Sequence, residues 1–185
     1  MKSAQVLRIF LLLVLLVVFS GCLIYETVEY QVRLNSDGKS GTIVITYSNI
    51  QSSSDDVKKQ DEDFQELLDK WKGDKYLLER MNDGVYIKKR DLKLSNGTLV
   101  WREVGIFADV HKMNNGISYD DTTRISLAKD EGVLETNGVV LLSKDSTVVI
   151  WPPHTRDFEM KVRNLDFKPT SHFADKFRQL MKKKK

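Results

Sequence analysis

Five Asn-Gly or Asp-Gly pairs are spread along this chain of 185 residues, and they constrain its fold more than any other feature. They lie at Asp37-Gly38, Asp83-Gly84, Asn96-Gly97, Asn115-Gly116 and Asn137-Gly138. Asn, Asp and Gly readily adopt the positive φ angles of tight hairpin turns, so the pairs predict short connections between antiparallel strands. Parallel strands need much longer crossover connections, which these pairs do not favour.

Strand periodicity surrounds the first of these pairs. Apolar side chains occupy every second position from Val28 to Leu34, and the alternation returns from Ile43 to Tyr47 after a turn at residues 35–41. Alternate side chains of a strand point to opposite faces of the sheet. The sequence therefore predicts a hairpin with one apolar face and one solvated face.

Between residues 55 and 72 the apolar period becomes that of a helix. Four residues fall at i, i+3, i+4 and i+7 and share one helical face, namely Phe64, Leu67, Leu68 and Trp71. The serines at 52–54 are the predicted N-cap residues, and Gly73 is expected to end the helix. We expect this to be the main helix of the fold.

Shorter elements complete the predicted order. A second helix is expected at residues 75–81 and a C-terminal helix at about 171–181. Further strands are predicted at 86–94, 98–111, 124–127, 133–136, 139–142, 147–151 and 158–162. Because the strands are grouped apart from the helices, the sequence predicts an α+β fold with an antiparallel β-sheet of eight or nine strands, one main helix and a C-terminal helix.

The start of the chain has the pattern of a secretory signal. Lys2 and Arg8 precede an uninterrupted apolar run of 11 residues, Ile9 to Phe19. This run is short for a helix that crosses a bilayer, which needs about 20 residues. A basic start, an apolar middle and small residues before a cleavage point define such signals, and Ser20 and Gly21 are those small residues.

The sequence FSGC at residues 19–22 resembles the lipobox of bacterial lipoproteins, except that Phe19 stands where an aliphatic residue is usual. The resemblance implies cleavage between Gly21 and Cys22, and attachment of diacylglycerol and a further acyl chain, such as palmitate, to Cys22. Two or more acyl chains anchor a protein stably to a membrane. Leu23 replaces the Asp that marks inner-membrane retention in enterobacteria, so the resemblance implies an outer-membrane protein that faces the periplasm.

Cys22 has two other interpretations. It is the only cysteine, so no disulfide can form within one chain. A buried core thiol is the usual role of a lone cysteine. A thiol nucleophile would need a positioned base, and the three histidines lie far away in sequence. We favour lipid attachment over both.

Charge argues against a nucleic-acid partner. Without residues 1–21, which contain Lys2 and Arg8 and no acid, 27 basic residues face 26 acidic ones. Four of the basic residues are the terminal lysines, so the body of the protein is slightly acidic and lacks a basic nucleic-acid footprint. We expect residues 1–21 to be the signal peptide and residues 22–185 to form a single α+β domain.

The order of hairpin, helix and strands also resembles the LppM-like domain of some bacterial lipoproteins. The resemblance includes ETNGVV at 135–140 and STVVIWP at 146–152, and it extends from Tyr30 to Leu165. It implies a compact α+β module at a membrane surface that contacts lipids.

Catalytic motifs are missing from the sequence, and only isolated residues remain. The Gly-Lys-Ser of DGKSGT at 37–42 lacks the earlier glycine of a phosphate-binding loop, so it predicts a turn. Asp109 and His111 share one face of a predicted strand and could supply two metal ligands or an acid–base pair. His154 follows two prolines. These residues support an alternative function, an envelope hydrolase or metal-dependent enzyme, but we expect no cofactor and no metal.

The C-terminal helix is amphipathic and basic. Phe173, Phe177, Leu180 and Met181 share one face, and four lysines end the chain: Lys182, Lys183, Lys184 and Lys185. The apolar face either docks on the domain core or rests on a membrane, and the lysines are predicted to bind an anionic lipid or envelope polymer. Together, the patterns predict a lipid-anchored, non-catalytic envelope protein that binds a lipid, glycan or protein partner.

Overall fold

A computed structural model describes residues 23–113, 117–119, 123–143, 146–168 and 172–183. Over these residues three α-helices form: α1 Val57–Lys72, α2 Asp74–Asn82 and α3 Phe173–Lys182. Twelve strands form: β1 Leu23–Ile24, β2 Thr27–Leu34, β3 Gly41–Ser48, β4 Gln51–Ser52, β5 Tyr86–Ser95, β6 Thr98–Phe107, β7 Ile117–Tyr119, β8 Thr123–Leu127, β9 Glu131–Thr136, β10 Val139–Leu142, β11 Thr147–Trp151 and β12 Asp157–Asn164.

The strands form three antiparallel sheets. Six of them pair in the order β5-β6-β3-β2-β12-β9, four in the order β10-β11-β8-β7, and β1 pairs with β4. The predicted antiparallel α+β class is confirmed. The expected strand number and the single main helix are matched only roughly, because the short strands β1, β4 and β7 are too brief to leave a periodic signal.

One face of the six-stranded sheet, here called the inner face, is buried. Residues that pair across antiparallel strands share a face, and the inner face carries Val28, Val32, Ile43, Ile45, Tyr47, Trp101, Phe107, Phe158, Met160 and Val162. The three helices cover it near β5 and β6. The four-stranded sheet covers it near β12, where Trp151 packs edge-on against Phe158 with ring centroids 5.7 Å apart. The predicted alternation of the first hairpin is therefore confirmed.

Helix α1 begins two residues later than predicted, with a different cap. Asp56 is the N-cap residue, and its carboxylate accepts the amide N–H of Lys59 at 2.9 Å. The serine prediction for this cap was wrong. Ser52 instead belongs to β4, and its hydroxyl donates to buried Asp63 at 2.5 Å, which links β4 to α1. The end of α1 at Gly73 is confirmed.

The turn pairs have three different roles. Asn96 and Gly97 both have positive φ and join β5 to β6 in a tight hairpin, as predicted. Asp83-Gly84 follows α2 instead of forming a hairpin, and Asn137-Gly138 connects β9 and β10, which belong to different sheets. The pair at 115–116 lies outside the described residues. A dipeptide that tolerates positive φ thus marks a change of direction without specifying which elements it joins.

The six-stranded sheet has two ends, a basal end and a distal end. The basal end is defined by Thr27, Ser48, Gly132 and Arg163, which lie in one row across neighbouring strands. The distal end is defined by Leu34, Gly41, Phe107 and Asp157. The chain enters the sheet at the basal end, where Glu26 donates its amide N–H to the Ser48 carbonyl at 3.0 Å.

Helix α3 docks on α1. Phe173 is 0% exposed and packs edge-on against Phe64 with ring centroids 5.2 Å apart. Phe177 packs against Trp71 at 5.8 Å, and Lys176 pairs with Asp61 at 2.7 Å. Of the two alternatives for the apolar face of this helix, docking on the domain core is therefore the one observed.

Candidate functional site

The position of Leu23 fixes where Cys22 leaves the domain. Gly21 and Cys22 lie outside the described residues, but Leu23 is only 6% exposed and pairs with Ser52. The chain then reaches the basal end of the sheet within three residues, at Glu26. A group attached to Cys22 is consequently joined to the folded domain by a single peptide bond.

Asp109 and His111 do not share a strand. Strand β6 ends at Phe107, so the predicted strand to residue 111 was too long. Asp109 instead caps a 3-10 turn, Val110–Lys112, and its carboxylate accepts the backbone N–H of His111 at 3.1 Å. The side chain of Asp109 thus holds the turn, and the His111 side chain is exposed.

His154 is exposed in the connection between β11 and β12, where it adopts a φ of 69°. Both histidine loops lie at the distal end, because Phe107 precedes one and Asp157 follows the other. Strands β6 and β12 are three interstrand spacings apart, or about 14 Å. The strand ends that carry the two histidine loops are therefore not adjacent in the sheet, and the hydrolase alternative stays a prediction.

Metal-binding clusters and membrane-spanning helices are both missing from the described residues. Within the described ranges, no three His, Cys, Asp or Glu side chains are close enough to hold a metal ion together. None of the helices in the described part of the chain is long and apolar enough to cross a bilayer. Lys182 and Lys183 are exposed at the end of α3, whereas Lys184 and Lys185 lie outside the described residues.

Buried charges lie between α2 and the inner face. Glu103 is 1% exposed, and its carboxylate lies 3.1 Å from Nη2 of Arg80 and accepts the Tyr76 hydroxyl at 2.6 Å. Burial lowers the pKa of Arg80, but the charge of Glu103 and other neighbours offsets this and raises that pKa overall. Burial, followed by the charge of Glu103, raises the pKa of Tyr76. The cluster is closely packed and connects α2 to the centre of the sheet.

An apolar groove lies between the edge strands of two sheets. Strand β9 is an edge of the six-stranded sheet, and β10 is an edge of the four-stranded sheet. The groove has a volume of about 470 Å³. Its apolar lining consists of Val133, Leu134, Val140, Leu142 and Leu165, and it is also lined by Gly132 and by the polar residues Lys129, Glu131, Glu135, Thr136 and Thr147. All four residues of β10 are exposed, from 37% at Val140 to 78% at Leu142. This is an unusual concentration of exposed apolar residues on one short strand.

The groove extends to the basal end of the domain. Gly132 of its wall pairs with Arg163, which pairs with Thr27. Two interstrand spacings of about 4.8 Å place Thr27 about 10 Å from Gly132. Burial, followed by the charges of Glu131 and Asp130, raises the pKa of Tyr25 to about 12. The Asn164 N–H donates to the Glu26 carbonyl at 2.9 Å and the Leu165 N–H to the Asp130 carbonyl at 2.6 Å, so the first residues of the domain lie beside the groove.

The carboxyl group of Glu131, in this wall of the groove, has a raised pKa. Burial raises the pKa of its carboxyl group, the amide N–H of Ala128 lowers it, and the charge of Asp130 raises it, with a net upward shift. The Ala128 N–H donates to Glu131 at 3.1 Å. The folded protein therefore favours the neutral form of this carboxyl group, compared with the unfolded chain.

Glu131→Gln is expected to give a small gain in the free energy of unfolding at pH 7 and less at pH 4. Because the folded pKa lies above the unfolded pKa, the stability that this group contributes at low pH is lost as pH rises through the folded pKa. Gln keeps an acceptor for Ala128 without the charge. Urea unfolding at both pH values measures the effect. Glu135→Gln, on the exposed part of the same strand, is the control, and an equal gain at both pH values would contradict the assignment.

Sequence reasoning did not single out the groove. The range of β10 was predicted correctly, but four consecutive apolar residues usually indicate a strand that is buried on both faces. The sheet order shows that β10 is an edge strand, and the exposure of its four side chains shows that both of its faces are open. Leu165 carries no periodic signal because it lies in the turn after β12.

Comparison with known proteins gives no assignment for the fold or the groove. The chain matches no family model, and the searches of curated proteins and of solved structures give no significant similarity.

Proposed function

We propose that this chain is a lipid-anchored protein of the bacterial envelope, and that its domain is a non-catalytic binding module at the membrane surface. The observation that carries the proposal is the position of Cys22. It follows an apolar run and the small residues Ser20 and Gly21, and it directly precedes Leu23, the first residue that the structure describes, which is buried. A cysteine at this boundary can carry a lipid without disturbing the core.

The close join between anchor and domain has a mechanical consequence. Acyl chains on Cys22 would insert into one leaflet, and two or more of them would hold the protein there stably. Since Leu23 already pairs with Ser52, no flexible linker separates the membrane from the sheet. The basal end of the domain would then face the lipid headgroups, and the distal end with its exposed histidine loops would face the aqueous compartment.

The proposal also includes the location of the protein and the kind of partner that it binds. Leu23 after the lipidated cysteine favours the outer membrane, with the domain on the periplasmic side. The partner is an envelope lipid, a glycan or another protein. Lys182 and Lys183 are exposed, and each lysine near an anionic surface can add about 1 kcal/mol of attraction, which salt reduces.

Cys22→Ser is expected to abolish lipid attachment and to release most of the protein from the membrane fraction or leave it with an uncleaved signal. The hydroxyl group of serine cannot form the thioether that the lipid requires. Mass spectrometry of the mature N-terminus and fractionation of cell membranes measure the two effects. In the wild-type chain, the first residue should be Cys22 with the added mass of its acyl groups.

Ser20→Ala is the matched control, because it keeps a small residue two positions before the cysteine. It should be processed and anchored like the wild type. An unmodified wild-type protein that begins at Met1 and stays in the membrane would refute lipid anchoring and favour an uncleaved signal anchor.

A further inference from the structure

Strand β10 exposes apolar side chains on both faces. Val139 and Leu141 point to one face and Val140 and Leu142 to the other, and all four are open to solvent. Nearby, Leu134 and Leu165 add exposed apolar surface at 49% and 62%. A protein partner with a flat surface could cover only one of these faces, whereas lipid can surround both.

The two described ends of the connection after β10, Ser143 and Ser146, are hydrogen-bonded to each other. Ser143 donates its amide N–H to the Ser146 carbonyl at 2.9 Å, and the Ser146 N–H donates to the Ser143 hydroxyl at 3.0 Å. These bonds satisfy the amide N–H groups of Ser143 and Ser146 and the Ser146 carbonyl without water. The free edge of β10 still needs water or headgroups, because an open strand edge is not tolerated in the hydrocarbon region. Only the side chains can therefore enter the acyl layer.

The position of β10 near the basal end indicates that lipid would cover its apolar side chains. Leu142 and Leu165 line the same groove as Glu131 and Gly132 of the basal end, where the chain arrives from Cys22. A second copy is a weaker explanation. Stable protein interfaces bury about 800 Å² per partner, and a four-residue edge strand offers much less.

We infer that the exposed side chains on both faces of β10, with Leu134 and Leu165, are a second membrane contact that lies on the same leaflet as the lipid on Cys22. The inference rests on the proposed function, because that anchor supplies the membrane. The acyl anchor fixes one point of the domain, and the side chains of Leu141 and Leu142 fix a second. Two contacts give the domain one orientation, with the groove facing the headgroup and acyl boundary.

Site-specific fluorescence tests this orientation in the full chain. Leu142→Cys is labelled with an environment-sensitive fluorophore after reconstitution into vesicles of phosphatidylethanolamine and phosphatidylglycerol. Emission is expected to shift to shorter wavelength and to be quenched by a spin-labelled lipid, but hardly by iodide in the buffer. Leu78→Cys is the matched control, since Leu78 is 57% exposed on α2, away from the groove. Its label should be quenched several-fold more by iodide than by the lipid.

The outcomes separate this inference from the proposed function. The wild-type chain should take no label, because its only thiol carries lipid; labelling of Cys22 would overturn the proposed function itself. If Cys22 is blocked and iodide quenches position 142 as strongly as position 78, β10 faces water and the inference is wrong. Protection from both quenchers would also overturn it, in favour of coverage by a second copy. Leu165→Cys provides a second position and should behave like Leu142→Cys.

Discussion

Arg80→Met is expected to lower the free energy of unfolding by about 3–5 kcal/mol. The variant leaves the carboxylate of Glu103 buried at 1% exposure without its cation. Tyr76 still donates one hydrogen bond to Glu103, but a hydroxyl group does not neutralise the charge. Urea unfolding followed by far-UV circular dichroism measures the loss. Methionine keeps much of the apolar volume of the arginine stem, so packing accounts for little of it.

The double variant Arg80→Met with Glu103→Leu distinguishes charge from packing. Both variants are also made with Tyr76→Phe, because Glu103→Leu would otherwise leave the buried Tyr76 hydroxyl without its acceptor. Apolar replacement of a buried ion pair is often neutral or stabilising, so in that background the double variant should recover most of the loss. Arg102→Met is the control, because Arg102 is the neighbour of Glu103 on the opposite face of β6 and should change stability by about 0.5 kcal/mol or less. A double variant as unstable as Arg80→Met would mean that the cost comes from packing.

This ion pair also marks a limit of sequence reasoning. A glutamate in a strand is ordinarily expected to be solvated, and Glu103 becomes buried because its register partner is Ile45 on the inner face. Local patterns could predict α1 and the first hairpin because each has an apolar period of its own. Glu103 shares its face of β6 with Trp101 and Phe107, but Val104 and Ile106 make the other face apolar as well. The local pattern therefore does not show which face is buried, and that is decided by the non-local pairing of β6 with β3.

The groove illustrates the same limit at the surface. The range Val139–Leu142 could be predicted as a strand, but its exposure depends on β10 lying at the edge of a sheet that joins residues far apart in sequence.

Asp109 and His111 illustrate the reverse case. Their spacing predicted one shared strand face, but a local Asp109 cap ended the strand and formed a turn. Side-chain capping competes with strand pairing over a few residues, and the apolar periodicity of the sequence gives no sign of this competition.

Phe173→Ala is expected to lower the free energy of unfolding by about 3–5 kcal/mol and to loosen α3. The side chain is 0% exposed and packs against Phe64, so its removal leaves a cavity between α3 and α1. Urea unfolding measures the loss of stability, and limited trypsin digestion at Lys176 and Arg178 measures the loosening. Met181→Ala is the matched control on the same helix, because Met181 is 43% exposed and should change stability little.

The same variant tests why α3 is amphipathic. In the folded protein its apolar face packs against α1 and the sheet, and among the described residues Lys182 and Lys183 are exposed at its end, where they can attract an anionic surface. In the variant, a loosened α3 exposes Phe177 and the apolar surface around position 173, together with those lysines. Apolar side chains beside basic ones are typical of a helix that binds a membrane surface. Phe173→Ala should therefore show greater protection of α3 from trypsin when anionic vesicles are added, whereas the wild type should not change. A wild-type unfolding midpoint and digestion pattern in this variant would contradict the docking of α3 on α1.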